Sequence, residues 1–127
     1  MEWKFQSDLP IYSQLVRQIK RGIVSGDFPP GGRLPSVREL ASEAGVNPNT
    51  MQRALQELER EGMVYSQRTA GRFVTEDAAQ IDQAKEALAR EHIRAFREGM
   101  AQLGYRREEI ESLLKEEKEE EHGNSGM

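Results

Sequence analysis

The stretch SVRELASEAGVNPNTMQRALQELERE, residues 36–61, decides the fold of this chain, because it predicts two short helices joined by a tight turn. The first helix begins with a capping box, in which Ser36 is the N-cap and a glutamate follows three residues later. Gly45 ends this helix, since glycine readily adopts the left-handed conformation found at helix ends. Asn47 is a good N-cap for the second helix, and Pro48 loses no hydrogen bond at its first position.

The second helix has an apolar face and a polar face. At about 100° per residue, its apolar side chains fall on one side: Met51, Ala54, Leu55 and Leu58. Amides and arginines fall on the other side: Asn49, Arg53, Gln56 and Arg60, flanked by Thr50 and Gln52. Amides can bind adenine, arginine can bind guanine and a threonine methyl can contact thymine, so this face suits the DNA major groove. The pattern predicts a helix-turn-helix whose second helix reads DNA, and the alternative is a helical hairpin with a solvated polar face.

The composition narrows the classes of protein that these 127 residues can form. The length fits one modest domain with an appendage. Without cysteine there is no disulfide framework, no cysteine zinc site and no thiol nucleophile. No apolar run is long enough to span a membrane, and the first residues, MEWKFQSDLP, lack the apolar segment of a signal peptide. We therefore expect a cytoplasmic protein.

The net charge of −4 is unevenly distributed along the chain. Residues 1–75 carry ten Lys and Arg against eight Asp and Glu, which gives +2. Residues 76–127 carry eight Lys and Arg against fourteen Asp and Glu, which gives −6. The two parts are therefore expected to do different jobs, and the first supports nucleic-acid binding by where its cations lie rather than by their number.

An amphipathic helix and a rigid connector are predicted before residue 36. The helix follows Pro10 and ends at Gly26. Its apolar stripe consists of Ile11, Leu15, Ile19 and Ile23. The connector, DFPPGGRLP at residues 27–35, is non-helical because its prolines interrupt a helix and its glycines permit a sharp turn.

Two short strands joined by a basic turn are predicted after the second helix. The strands are residues 63–65 and 72–74, and the polar turn between them has two arginines, Arg68 and Arg72, at or near its tip. A hairpin beside a helix-turn-helix is a wing, whose arginines can reach phosphates or the negative potential of the minor groove. The alternative is a plain hairpin with solvated arginines.

Residues 10–74 resemble the winged helix-turn-helix domain of the GntR family of bacterial transcription regulators. Four motifs that are typical of this family occur together and in order: PIYxQ, PGxRLPSxRELA, VNPNTxxRAxxELExEG and a closing G-x-F-V. The short helical tail resembles the YtrA-type subfamily. This resemblance implies a homodimer and suggests that the protein regulates a transporter operon.

The resemblance also implies which residues meet DNA. Ser36 and Arg38 would meet the DNA backbone and the edge of the groove. The second helix would enter the major groove with Asn49, Thr50, Gln52 and Arg53. The wing would approach the minor groove with Arg68, Thr69 and Gly71.

The wing departs from the family pattern at its tip. The family usually has R-G-x-G-T there, with glycine directly after the arginine. This chain has Arg68-Thr69-Ala70-Gly71-Arg72, so the tip is bulkier and more basic. We expect a contact from Arg72 to replace the close approach of the wing backbone to DNA.

Two helices are predicted in the C-terminal part, the first running from Asp77 to a stop at Gly104. Two helices alone bury little apolar surface, so a symmetric second copy is the economical partner for their apolar face. The alternative is that they cover the first domain. His92 is expected to be a packed or interface histidine, with pH sensing or metal binding as the minor interpretation. The predicted dimer surface comprises Ile81, Ala84, Leu88, His92, Phe96, Met100 and Leu103.

The sequence as a whole predicts a mostly α-helical fold with a small β-wing. Residues 1–75 form a winged helix-turn-helix DNA-binding domain, residues 76–118 a short two-helix dimerisation unit, and residues 119–127 a disordered tail. The predicted function is sequence-specific binding of double-stranded DNA by a homodimeric repressor with a palindromic operator. The alternative is a winged-helix module that binds proteins and not DNA.

An enzyme is not expected, because both histidines lie in the helical tail with no acid–base constellation near either of them. We predict no cofactor and no metal, and the sequence shows no obvious effector pocket.

Overall fold

A computed structural model describes residues 1–125 of the chain, with side chains described for residues 1–118. The chain divides into two compact units, Met1–Leu88 and Ala89–Met127. The predicted disordered tail at residues 119–127 lies beyond the described side chains, and its last two residues lie outside the described backbone. The elements are α1 (Ile11–Ser25), α2 (Val37–Ala44), α3 (Pro48–Arg60), β1 (Val64–Gln67), β2 (Gly71–Val74), α4 (Ala78–Gln102) and α5 (Arg107–Ser125).

The predicted caps of the helix-turn-helix are confirmed. The Ser36 hydroxyl accepts a hydrogen bond from the backbone N–H of Glu39 at 3.1 Å. Asn47 Oδ1 accepts one from the backbone N–H of Asn49 at 2.8 Å, and proline occupies the first position of α3. Gly45 has a φ of 70°, which the left-handed end of α2 requires. Each cap satisfies backbone groups that a helix end leaves unpaired, so these residues determine where α2 and α3 begin and end.

The core of the first unit lies between α1, α2, α3 and the small sheet. The apolar face predicted for α3 is buried in it, and so is the apolar stripe of α1 from its second turn onward. Burying one large aliphatic side chain contributes about 1.5–3 kcal/mol, so this core holds the polar face of α3 outward. The fully buried large side chains are Leu15, Ile19, Ile23, Leu40, Met51, Leu55, Leu58, Met63 and Val74.

The wing is longer and its turn is tighter than the sequence pattern predicts. Ser66 pairs with Arg72 and Gln67 pairs with Gly71, so both strands extend into the predicted turn. Only residues 68–70 remain unpaired at the tip, where the backbone N–H of Ala70 donates to the carbonyl of Gln67 at 3.1 Å. The polar residues that suggested a longer turn therefore belong to the strand ladder.

The connector before α2 is hydrogen-bonded to the free edge of β2 through an isolated bridge, outside the two-stranded sheet. The backbone N–H of Leu34 donates to the carbonyl of Arg72 at 2.9 Å, and that of Val74 donates to the carbonyl of Gly32 at 2.9 Å. Arg33 forms an antiparallel bridge with Phe73. The connector is non-helical as predicted, and it also lies along the outer edge of β2.

The start of α4 packs on the first unit. Asp77 Oδ1 caps the helix by accepting a hydrogen bond from the backbone N–H of Ala79 at 3.0 Å. The Gln80 side chain donates to the carbonyl of Glu61, which follows α3, at 2.7 Å. Ile81 and Ala84 are half-buried and pack against the core of the first unit. These two predicted dimer residues are therefore engaged within their own chain, as in the alternative interpretation, and we place the exposed apolar surface of α4 after Leu88.

Candidate nucleic-acid interface

The first two turns of α3 present the predicted reading residues outward. Asn49 and Arg53 are exposed, and Thr50 and Gln52 are half-buried at the edges of the same face. None of the four belongs to the core, which α3 meets with its opposite side. The helix therefore presents two amide groups, a hydroxyl and a guanidinium, which together can pair with base edges in a major groove.

Arg53 has a neighbour that the sequence pattern did not indicate. Its guanidinium lies over the ring of Tyr12 in α1, 4.7 Å from the ring centroid. The Tyr12 hydroxyl donates to Glu57 Oε1 at 3.4 Å, so the tyrosine contacts two residues on successive turns of α3. A cation above an aromatic face is attracted to it, which restricts the guanidinium before any ligand arrives. No local signal identifies this contact, because Tyr12 and Arg53 lie in separate helices.

The acidic residues at the end of α3 are paired with basic side chains. Glu57 holds Arg60 with contacts of 2.5 and 2.8 Å. Glu59 holds Arg72 of the wing at 2.8 Å, and the residue after α3, Glu61, holds Lys20 of α1 at 2.6 Å. The paired cations offset carboxylates that would otherwise repel phosphates, so a domain with a net charge of only +2 can still present positive charge on one side.

Outside α1, four arginines of the first unit have no acidic partner among the described side chains. They lie in the connector, at the start of α2, on the reading face of α3 and at the wing tip, and all four are exposed. Their positions bring the positive charge to the elements that a winged helix-turn-helix directs at DNA. These residues are Arg33, Arg38, Arg53 and Arg68.

The carboxylates of α3 have lowered pKa values. Hydrogen bonds from Arg60 are the main cause for Glu57, whose pKa lies below its ordinary value. Burial raises the pKa of Glu59, but hydrogen bonds from Ser66 and Arg72 and the positive charge of Arg72 together bring it below its ordinary value. Both groups are therefore ionised at neutral pH, and the ion pairs of α3 are formed there.

Arg72, which is predicted to contact DNA, is paired with Glu59 of α3 in the structure. Its side chain is only 19% exposed, and its Nε atom donates to Glu59 Oε1 at 2.8 Å. Ser66, its partner across the strands, donates to the same carboxylate oxygen. This guanidinium faces α3 and joins the wing to that helix, and a contact from Arg72 to DNA remains a prediction.

The wing tip departs from the family pattern in its sequence but keeps a backbone conformation that favours glycine. Thr69 stands where the family has glycine and has a φ of 68°, which is an uncommon conformation for a β-branched residue. Gly71 has a φ of 103° and is exposed. Arg68 is exposed beside them. The tip therefore keeps the backbone shape that the family glycine would allow, at the cost of strain at Thr69.

The start of α2 contributes the remaining predicted contacts. Arg38 is exposed in the first turn of the helix. The Ser36 hydroxyl accepts from the backbone of Glu39 and donates to its carboxylate, each at 3.1 Å. Ser36 is thus occupied as a cap, and a contact from it to the DNA backbone remains a prediction. The structure brings the predicted residues of α2, α3 and the wing together in one compact unit.

The second unit carries an exposed apolar surface on α4 and α5. Phe96 is 42% exposed and Leu103 is 73% exposed, and His92 is also exposed in the single chain. Of the other predicted dimer residues, Leu88 is buried and Met100 is half-buried. A groove of about 610 Å³ lies among these helices. It is lined by Ile93, Phe96, Arg97, Ala101, Tyr105, Arg107, Ile110, Glu111 and Leu114.

The described residues contain neither a membrane-spanning helix nor a metal-binding cluster. No helix among the described residues is long and apolar enough to cross a membrane. Over the same part of the chain, no cluster of three or more His, Asp or Glu side chains is arranged to hold a metal ion.

The sequence comparisons agree with this geometry. Residues 11–74 match the sequence model described as "Bacterial regulatory proteins, gntR family". The chain is 44% identical over 110 residues to the HTH-type transcriptional regulator YhcF of Bacillus subtilis, covering 87% of this chain and 91% of YhcF. It is 35% identical over 112 residues to the HTH-type transcriptional repressor YtrA of the same organism, covering 87% of this chain and 86% of YtrA. These relatives are transcription regulators and not enzymes.

Solved structures show the same fold. A GntR family transcriptional regulator from Listeria monocytogenes superposes with a TM-score of 0.79 at 39% identity, covering 88% of this chain and 98% of the other. The DNA-binding domain of AraR in complex with operator ORX1 superposes with a TM-score of 0.54 at 31% identity. That match covers 59% of this chain and 96% of the AraR domain. A domain similar to the first unit is thus known bound to operator DNA.

Proposed function

The chain belongs to the GntR family of bacterial regulatory proteins, and from this premise we propose that it is a homodimeric repressor that binds a palindromic operator. One observation supports DNA reading above all. Exposed side chains of α3 and exposed Arg68 of the wing lie in one compact unit, while the acidic residues of α3 are paired with cations.

The reading side chains divide by the information they carry. Asn49, Gln52 and Arg53 of α3 have the hydrogen-bonding groups that distinguish base pairs in the major groove, and Thr50 adds a methyl group. Arg38 and Arg68 lie at the start of α2 and at the wing tip, where contacts to phosphates or to the minor groove determine register. We therefore assign sequence discrimination to α3 and positioning to the two flanking arginines.

The second unit supports a homodimer. The two helices expose large apolar side chains around an apolar groove, and a contiguous exposed apolar surface marks an interaction site. In a twofold-symmetric dimer, the groove of each copy would be covered by the same residues of the other copy. Two reading helices related by this symmetry would bind an inverted repeat, with half-sites one or more helical turns apart, about 34 Å for each turn.

Repression is the direction of regulation that we propose. The relative YtrA is a transcriptional repressor and is matched along most of its length. A dimer bound at a promoter can block transcription by occupancy, which requires no effector. The transporter operon implied by the YtrA-type resemblance is the first promoter to test.

Selection of bound duplexes from a random DNA pool tests this proposal. We expect the bound fraction to be enriched in an inverted repeat, and we expect sedimentation of the full chain at micromolar concentration to show a dimer. A pool without enrichment would support the protein-binding alternative. A monomer bound to a single half-site would overturn the homodimer and the palindrome while leaving DNA binding in place.

A further inference from the structure

Arg33 is a cation that neither the sequence motifs nor the family resemblance assigned to DNA. It lies in the connector, and its backbone pairs with Phe73 on the outer edge of β2. Its side chain lies across Gly71, because a methyl group added to Gly71 would come within 3.1 Å of Arg33 Nε. The bridge between the connector and β2 therefore places a guanidinium beside Gly71, the first residue after the wing tip.

The strand register separates Arg33 from Arg72. Arg72 and its partner Ser66 contact Glu59 of α3, which identifies the inner face of the hairpin. Phe73, the next residue along β2, points to the opposite face, because side chains alternate along a strand. Arg33 is paired with Phe73, so its side chain belongs to that outer face. Arg72 thus lies on the inner face of the hairpin, next to α3, and Arg33 lies on the outer face.

The charge of Arg33 is not used within the molecule. Its side chain is exposed and forms no ion pair or hydrogen bond to another described side chain, unlike Arg72, which is only 19% exposed and paired with Glu59. The connector then leads within three residues to Ser36, the N-cap of α2. A helix N-terminus and an unpaired guanidinium both favour negative charge, so this edge suits a phosphate.

We propose that Arg33 contacts the phosphate backbone of the DNA beside the wing. This inference rests on the proposed function, and it adds to the contacts of Arg38 and Arg68 a third one that carries no sequence information. Gly71 allows the Arg33 side chain to lie here. Its φ of 103° favours glycine, and the absence of a side chain at Gly71 leaves the space that Arg33 occupies.

Two substitutions at this site separate charge from packing. Arg33→Met keeps an apolar stem across Gly71 and removes the charge, whereas Arg33→Lys keeps the charge. Arg21→Met is the matched control, because Arg21 is also exposed in the first unit but lies on α1 beside the N-terminal residues. Each full-length variant is titrated with the selected duplex and with a scrambled duplex over a range of salt concentrations. Thermal unfolding shows whether each variant is folded.

The expected result is a change in salt dependence. Losing one phosphate contact decreases the magnitude of the slope of log K against log salt by about 0.9. The ratio of wild-type affinity to Arg33→Met affinity therefore falls about threefold between about 50 and about 200 mM salt. The deficit is equal on both duplexes. Arg33→Lys and Arg21→Met keep the wild-type slope.

The outcomes that overturn the inference are distinct from failure of the proposed function. If Arg33→Met keeps the wild-type slope, or if the methionine and lysine variants lose the same affinity, Arg33 does not act through its charge on DNA. A deficit confined to the selected duplex would make Arg33 a base-reading residue and also overturn the proposal. If the wild-type chain itself binds neither duplex, the proposed function fails.

Discussion

Replacing Arg53 with alanine tests the reading face of α3 most directly. The side chain is exposed and projects away from the core, and its one described neighbour is the Tyr12 ring at 4.7 Å. The substitution therefore removes one cation–π contact and one candidate base contact, and it leaves the packing of α3 unchanged. The two losses affect different measurements, so each can be assigned a magnitude.

The cost to stability is small. A cation–π contact at an exposed site contributes about 0.5–1 kcal/mol, which corresponds to a lowering of the thermal midpoint by a few degrees in a domain of this size. The cost to specific binding is larger. A bidentate contact to a base gives about 1–3 kcal/mol of discrimination, so we expect operator affinity to fall by about 5-fold to 150-fold. Affinity for scrambled DNA should fall much less.

The assay is a fluorescence titration of the selected and scrambled duplexes at one salt concentration, with thermal unfolding of each protein. Arg60→Ala is the matched control, because Arg60 lies two turns further along α3, is 75% exposed and is paired with Glu57. Tyr12→Phe keeps the ring under Arg53, whereas Tyr12→Leu removes it. If the ring restricts Arg53 before binding, the leucine variant loses operator affinity in the wild-type background and not in the Arg53→Ala background.

Two results would refute this reasoning. An equal loss of affinity on both duplexes would make Arg53 a phosphate contact. A loss of operator affinity by Arg60→Ala as large as that by Arg53→Ala would show that the whole exposed face contributes charge and not base recognition.

Four further predictions follow from single features of the structure. Phe96→Glu places a charge on the exposed apolar surface of α4 and should shift sedimentation toward the monomer. Glu98→Gln, on the other side of the helix, should leave the dimer intact. A Phe96→Glu protein that still sediments as a dimer would exclude this surface as the dimer interface. Thr69→Gly relieves a φ of 68°, which costs about 1–2 kcal/mol. The greater freedom of glycine in the unfolded chain costs about 0.5–1 kcal/mol, so the thermal midpoint should rise by the equivalent of up to about 1.5 kcal/mol. Arg72→Met should weaken operator binding because it loosens the wing from α3, with little change in the slope of log K against log salt. A slope whose magnitude falls by about 0.9 would show that Arg72 contacts a phosphate. The pKa of Glu59 is lowered in the folded state, so its ionised form stabilises the fold at pH values above the ordinary carboxyl pKa. This contribution is lost as the pH falls through the folded-state pKa. Glu59→Gln should therefore unfold at a lower temperature than wild type at neutral pH, and the two unfolding temperatures should converge in acid.

The positions of the helices could be predicted from the sequence, because the signals that determine them are local. The caps at Ser36 and Asn47, the stop at Gly45 and the apolar spacing of α3 each act within one or two turns. The polar face of α3 follows from the same spacing, so the candidate base-reading residues could be named before the structure. The strands were less well predicted, because Ser66 and Gln67 are polar and become strand residues only through their partners on β2.

The sequence by itself determined the helix-turn-helix, the reading face and the family resemblance, whereas the tertiary structure decided which charges remain available to DNA. Arg72 and Arg33 look alike in the sequence, yet one is held inside the wing by Glu59 and the other lies unpaired on its outer edge. Likewise, Ile81, which is predicted at the dimer surface, packs against the core of its own chain. The physical reason is that helix caps and amphipathic spacing depend on neighbours along the chain, while the partner of a long charged side chain comes from another segment that only folding brings within hydrogen-bonding distance.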